Sequence, residues 1–277
     1  MPEALLHDNG IRPITDTELV QFQRFIFEAA GISMASSKKA LVMGRLGKRL
    51  PLHQLENFSQ YLNLLESGHH PEEVQMAVDL LTTNETYFFR EIKHFEFLRQ
   101  QALAARHLVK PYRVWSAASS SGEEVYSIAM VLADCLGSTP WEVVGTDIST
   151  KVLSGAQRAL YSMERARNIP PEYLHRFCLK GTGEHEGHLL VDRSLRSRVL
   201  FRHLNLNAPL PNLGQFDFVF LRNVMIYFSD ETKREVVARI IPTIKPGGHL
   251  CVGLSESLNN ITQALSLVAP SIFCKPE

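Results

Sequence analysis

Residues Val114–Met130 read VWSAASSSGEEVYSIAM: a short apolar run, a string of small residues from Ser116 to Gly122, and two glutamates that open an amphipathic stretch. The run Val114–Ala118 predicts a strand buried on both faces, and Glu123–Leu136 a helix. The same alternation recurs downstream. Trp141–Asp147 (WEVVGTD) reads as a second strand and Ser149–Leu160 as a helix. Phe216–Leu221 (FDFVFL) is a third strand, Asp230–Ile244 a helix, and His249–Leu254 a fourth strand. Apolar strands separated by helices imply a parallel, doubly wound sheet, with helices on both faces. Right-handed crossovers then bring the turns that follow each strand to one edge, where such folds bind ligands.

Upstream the texture is helical. Leu19, Phe22, Phe25, Ile26 and Ala29 recur at helical spacing before Gly31. Leu55, Phe58, Tyr61, Leu62 and Leu65 do so before Gly68, and Val74, Ala77, Val78 and Leu81 form a third stripe. A small all-helical domain over residues 1–81 is expected, followed by the sheet domain over 82–277. One stretch departs from the alternation. Between Pro170 and Leu206 a turn rich in glycine and charge precedes two short candidate strands, His188–Asp192 and Arg198–His203, expected to form an antiparallel insertion.

The chain of 277 residues is 45% hydrophobic and 21% charged, with zero formal net charge, so no global field draws it to nucleic acid or an anionic membrane. Cys135, Cys178, Cys251 and Cys274 form no CxxC pair, which argues against zinc or redox work, and buried free thiols are expected. The start MPEALLHDNG lacks an export signal, and no apolar run has the length of a membrane span, so a cytoplasmic location is expected.

The candidate chemistry sits at the strand ends. The turn Ser116–Gly122 lets a ligand approach the backbone, but one glycine does not make the dinucleotide fingerprint. Glu123 and Glu124 disfavour a phosphate ligand and suit a cation or a group rich in hydroxyl and amino functions; alternatively they favour the helix N-terminus electrostatically. Asp147 ends the second strand, where doubly wound folds hold ribose hydroxyls, and it could equally cap the helix that follows. Arg222 and Asn223 follow the third strand, with Tyr227 a turn beyond. Leu81–Phe95, LTTNETYFFREIKHF, joins the two domains and combines hydroxyls, an amide and a guanidinium with three consecutive aromatics. Together these features suit an S-adenosylmethionine pocket.

The strings TTNETYFFRE, VWSAASSSGEEVYSIAM, GTDIST, FDFVFLRNVMIYF and KPGGHLCVGLSESL, with FIFEAAGI and KKALVMGRLGKRL upstream, resemble the bacterial chemotaxis receptor methyltransferases, the CheR family. The resemblance spans nearly the whole chain. It implies a Rossmann-like S-adenosylmethionine-dependent methyltransferase domain behind a small all-helical domain, and methyl transfer to receptor glutamates with S-adenosylhomocysteine as product and no metal. It further implies that Asn84, Thr86 and Arg90 contact the methionine portion of the cofactor, Glu124 its amino group and Asp147 its ribose. Asn205 and Leu206 would lie near the adenine, and Arg222 and Asn223 match the family's Arg-Asn pair. The turn reads SSSGEEV where many members have CSTGEEP, so Val125 replaces a proline at the helix start.

A glutamate acceptor is ionised at neutral pH and needs no general base, so the task is alignment and desolvation. Arg90 and Tyr227 are expected to orient that carboxylate. At about 100° per residue, Lys38, Arg45 and Arg49 fall within about 40° on a helix, and are expected to form a stripe that docks acidic receptor helices. KGTGEHEGHLLV (Lys180–Val191) resembles the insertion with which some members tether a receptor C-terminal peptide. A monomer is expected. Two other readings are a methyltransferase for small molecules or nucleic-acid bases and a cofactor-binding regulatory module. The LRNVMIYF segment lacks the Asp/Asn-Pro-Pro-Tyr/Phe motif of base enzymes.

Overall fold

The computed structural model describes residues 12–107, 109–137 and 139–277. The N-terminal decapeptide, read above for export signals, lies outside the described residues. The described residues divide into two compact units: residues 12–83 with Tyr227–Ser229, and the described residues of 84–226 with 230–277.

The first unit contains α1 (Asp16–Ala30), α2 (Lys39–Leu46), α3 (Arg49–Leu52), α4 (Phe58–Glu66) and α5 (Pro71–Leu81). Thr15 and Glu18 form a capping box at the start of α1, satisfying backbone amides that the first turn leaves open, and Gly31 ends the helix in a left-handed conformation. Phe22, Phe58 and Tyr61 meet ring to ring in its core, with centroids 6.2 and 6.3 Å from Phe22.

The second unit opens with α6 (Lys93–Ala105) and continues through β1 (Tyr112–Ser116), α7 (Glu123–Leu136), β2 (Trp141–Asp147) and α8 (Thr150–Arg158). A three-stranded antiparallel sheet follows, in the order β3 (Leu160–Ser162), β5 (His188–Val191), β4 (Cys178–Lys180); α9 (Pro171–Phe177) precedes β4 and α10 (Arg193–Arg196) follows β5. Then come β6 (Val199–His203), β7 (Phe216–Leu221), α11 (Asp230–Ile240), β8 (Ile244–Val252), β9 (Ser266–Ala269) and β10 (Ile272–Cys274). The main sheet runs β6-β2-β1-β7-β8-β10-β9. Its first five strands are parallel, and β10 pairs antiparallel with both β8 and β9. The chain builds outward from β1 to β2 and β6, then returns to lay β7 on the other side of β1. That reversal is the topological switch point at which open α/β sheets bind ligands.

Arg198–His203 does not belong to the antiparallel insertion. Its strand, β6, lies parallel to β2 with Val143 opposite Val199 and Asp147 opposite His203, and forms an edge of the main sheet. The partners of β5 are β3 and β4. The physical reason lies in Gly145 and in the link after β5. A Cβ at Gly145 would meet the Phe201 ring at 2.9 Å, so the bare backbone of β2 makes room for β6. The residues after β5 form a helical turn, α10, rather than a tight hairpin.

Phe95 on α6 stacks on Phe220 at 5.9 Å, and Phe97 meets Phe218 edge-on at 6.1 Å. α7, most of whose residues are buried, packs against α6 and β2. All four cysteines are free thiols, with Cys135 and Cys251 buried. No helix among the described residues is long and apolar enough to cross a membrane.

Candidate functional site

The turn after β1 leaves the sheet at the switch point. The Ala117 amide donates to the Phe220 carbonyl at 2.8 Å and the Ser119 amide to the Thr146 carbonyl at 2.8 Å, so the turn is pinned to both neighbouring strands. Gly122 sits at φ +95°, and a Cβ there would meet Ala156 Cβ and the Tyr161 hydroxyl at 2.8 Å. A side chain at this position is therefore excluded twice, by conformation and by space.

Asp147 is buried at the end of β2. One carboxylate oxygen accepts the Ser120 amide at 2.8 Å and the other the Ser149 amide at 2.9 Å. Ser149 supplies the side-chain cap of α8, so Asp147 supports that helix start from outside while gripping the β1 turn. Ser120, at φ +48°, turns its hydroxyl to the Asn84 carbonyl at 2.8 Å. The Leu204 amide donates to the Asp147 carbonyl at 2.9 Å, which brings Asn205 and Leu206 to the same sheet edge. One series of contacts thus joins Asn84, Ser120, Asp147 and Leu204.

A second series starts from Arg222, at the end of β7. Its Nη1 donates to Glu124 at 2.6 Å, and its Nη2 to the Arg90 carbonyl at 2.5 Å and to Glu91 at 3.0 Å. Glu124 also accepts the Ser116 hydroxyl at 2.8 Å, closing back on β1. The guanidinium is 1% exposed and lies 5.7 and 5.9 Å from the centroids of the Phe95 and Phe220 rings. Asn223 adopts φ +56°, and its amide donates to Glu256 at 2.7 Å. Glu256 also accepts the amides of Gly253 at 2.7 Å and Ile226 at 3.2 Å, tying the exits of β7 and β8 together. Burial raises its carboxyl above the usual range despite these amides.

The two glutamates of the turn divide their work. Glu124 faces Arg222. Glu123 is fully buried, takes the Ser121 hydroxyl at 2.7 Å and forms an ion pair with Arg165. Burial raises the Glu123 carboxyl against the pull of Ser121 and Arg165. Arg165 also donates to the Thr86 carbonyl at 3.2 Å, a second anchor for the segment after Asn84. Arg90 is half-buried; its Nη1 donates to the Glu85 carbonyl at 3.1 Å and its guanidinium lies 5.8 Å from the Tyr87 ring.

The structure therefore brings Asn84, Thr86, Arg90, Glu124, Asp147, Asn205, Leu206, Arg222 and Asn223 into one connected edge of the second unit. Tyr227 is half-buried and clusters with the first unit, where its carbonyl accepts the Ser33 amide at 2.7 Å beside a bridge between Ile32 and Phe228. Glu91, Ser120, Arg165 and Glu256 hold the edge together, a role that sequence does not assign to them. Glu91 ends the TTNETYFFRE string, Glu256 lies in KPGGHLCVGLSESL and Ser120 in the SSSGEEV turn, so the motifs contain them without assigning them a role.

Lys38 is the N-cap of α2, Arg45 lies in its last turn and Arg49 opens α3, with Gly47 and Lys48 between them in right-handed helical conformation. Arg45 donates to the carbonyls of Leu80 at 2.9 Å and Thr82 at 2.8 Å. Arg49 grips Glu73 with both nitrogens, at 2.8 and 2.5 Å. Burial opposes the Glu73 charge, yet Arg49, Tyr61 and His53 hold its carboxyl down at about 2. Arg45 and Arg49 are half-buried, and Lys38 is exposed.

The donor set fits S-adenosylmethionine. Carboxylates at Asp147 and Glu124 match a ribose diol and an ammonium group, and Ser119 Oγ is a buried polar atom without a hydrogen-bond partner among the described residues. A doubly wound sheet with this edge defines a Rossmann-like S-adenosylmethionine-dependent methyltransferase domain. The chain belongs to the CheR methyltransferase family: residues 84–273 match its SAM binding domain and residues 17–82 its all-alpha domain. It is 42% identical over 263 residues to a chemotaxis protein methyltransferase of Escherichia coli, covering 94% of this chain and 91% of that one. A relative of the same name in Salmonella typhimurium is 40% identical, with 94% and 90% covered, and chemotaxis protein methyltransferase 2 of Pseudomonas aeruginosa is 38% identical, with 94% and 93% covered.

Proposed function

We propose that the protein methylates glutamate side chains of chemoreceptors, forming methyl esters that adapt the receptor signal. The observation that carries this is the convergence of Asn84, Arg90, Glu124, Asp147 and Arg222 on one sheet edge, in a chain of the CheR methyltransferase family. S-adenosylmethionine supplies a methyl on a sulfonium, so the glutamate oxygen gains a C–O bond as the S–C bond breaks and its electron pair stays on sulfur. Asp147 holds the ribose, and Asn205 and Leu206 flank the adenine. Glu124, fixed by Ser116 and Arg222, holds the ammonium, while Asn84, Thr86 and Arg90 hold the methionine portion. Asn223 supports this edge from the β7 exit. Arg90 and Tyr227 orient the acceptor carboxylate, which at a usual pKa near 4 arrives already charged. The protein's contribution is therefore alignment and exclusion of water rather than proton removal.

Receptor helices dock on the helical unit with Lys38 as an exposed cation. The edge strand β4, with Leu179 52% exposed, accepts a receptor C-terminal peptide as an added strand. The protein acts in the cytoplasm as a monomer. A transfer assay with tritiated S-adenosylmethionine and receptor-bearing membranes tests the reading. Label released as methanol by mild alkali supports it; label that resists alkali, or that enters nucleic acid or small molecules, refutes it. Tyr227→Phe is expected to lower turnover about 10-fold at unchanged cofactor affinity, the worth of one orienting hydrogen bond of about 1.4 kcal/mol. Unchanged turnover removes the tyrosine from the mechanism.

A further inference from the structure

Glu91 joins three separate pieces of chain. Its Oε2 accepts from Arg222 Nη2 at 3.0 Å and from the Leu254 amide at 3.3 Å, and its Oε1 lies 3.5 Å from Asn223 Nδ2. These groups stand at the exits of β7 and β8, while Glu91 itself follows Arg90. The same Arg222 nitrogen donates to the Arg90 carbonyl, and the other grips Glu124. The guanidinium is thus held between two carboxylates, with side-chain exposures of 14% for Glu91 and 11% for Glu124.

The backbone around Arg90 is unusual. Phe89 sits at φ +54° and Glu91 at φ +60°, left-handed conformations that residues with a Cβ adopt at a cost. Phe89 is fixed by its amide, which donates to the Ser127 hydroxyl at 3.0 Å, and by its ring against Phe95 at 5.1 Å. On the other side of Arg90, the corresponding restraint is Glu91 on Arg222. Without it the Arg90 peptide loses one of the contacts that hold the strained turn, and Arg222 keeps a single carboxylate partner.

We propose that Glu91 is a positioning residue for methyl transfer: through Arg222 it sets the Glu124 carboxylate, and through its own strained backbone it aims Arg90. The proposal rests on the reading of Glu124 and Arg90 as cofactor ligands. A side chain that only neutralised a buried arginine would alter stability; one that positions both ligands alters the kinetics of a folded enzyme.

The test compares wild type, Glu91→Ala and Glu91→Gln by steady-state kinetics and by calorimetric titration with S-adenosylmethionine, with melting curves as the control for folding. Glu91→Ala is expected to lose about 100-fold in kcat/KM for S-adenosylmethionine, the cost of a misplacement near 1 Å, while the receptor KM moves less than about 3-fold. Glu91→Gln keeps an acceptor oxygen and the side-chain shape, and should recover about 10-fold of that loss. Glu91→Ala within about 3-fold of wild type overturns the proposal, as does a glutamine variant no better than alanine. If alanine does not fold, glutamine decides alone, and a loss under about 3-fold overturns it. Should the wild type methylate no receptor, the functional reading fails. The titration still tests Glu91, because unchanged cofactor affinity in folded Glu91→Ala then overturns the positioning role.

Discussion

Replacing Arg222 with methionine removes the one cation shared by Glu91 and Glu124 and the donor to the Arg90 carbonyl. Methionine fills comparable volume, so the cost is electrostatic rather than a cavity. Removing one partner of a buried ion pair costs about 3–5 kcal/mol, because the remaining charge stays desolvated. Here the two carboxylates keep 14% and 11% exposure, so water can relieve part of the penalty, and the lower end applies. We expect Arg222→Met to lose about 3 kcal/mol, which for a unit of this size lowers the melting temperature by about 6–12 °C. Circular dichroism melts at neutral pH measure it directly. S-adenosylmethionine should raise the wild-type transition and barely move the variant's, since a ligand stabilises in proportion to its occupancy of the folded state. A melting temperature lowered by less than about 2 °C would refute the hub, because the loss would then be under about 1 kcal/mol.

Two further outcomes follow from groups outside the reaction. His94 is buried, 3.3 Å from the Glu91 carboxylate, and burial with the nearby Arg222 charge lowers its pKa to about 4. The unfolded chain binds this proton first as pH falls from about 6.5, so stability falls between there and about pH 4, by up to about 3 kcal/mol. Urea unfolding of His94→Leu should show a flatter profile across that window than the wild type; an unchanged slope contradicts it. Arg49→Ala should destabilise the helical unit by about 2 kcal/mol, less than a fully buried pair because Arg49 is 21% exposed. Full stability with a raised receptor KM would instead restore Arg49 to a docking surface.

Strands buried on both faces declare themselves, and FDFVFL and WEVVGTD are legible as sheet interior without any partner being known. The strand Val199–His203 was visible too, but its direction was not. Parallel or antiparallel pairing depends on where the chain has been, and here on the space over Gly145 that only the folded sheet reveals. The strands β3 and β4 have three residues each, too short to carry a period. The anchoring of Arg45 and Arg49 is hidden for a different reason. Angular spacing says which residues share a helix face, not that Arg45 reaches the Leu80 and Thr82 carbonyls or Arg49 the Glu73 carboxylate. Residues that end long apolar strands, Asp147 and Arg222, were legible because their surroundings leave charge at the sheet edge. The roles of Glu91 and Glu256 are not legible, although both lie in recognisable strings, since an acidic side chain in a loop is ordinarily solvated.

The most direct measurement is to locate the transferred methyl. Receptor cytoplasmic fragments incubated with the protein and S-adenosylmethionine are digested and their peptides mapped by mass spectrometry, before and after mild alkali. Glutamate-containing peptides should be heavier by one methyl in place of a proton, revert on alkali treatment, and be absent when Asp147→Asn replaces the wild type. Methyl groups on lysine, on a backbone amine or on no receptor peptide at all would contradict it.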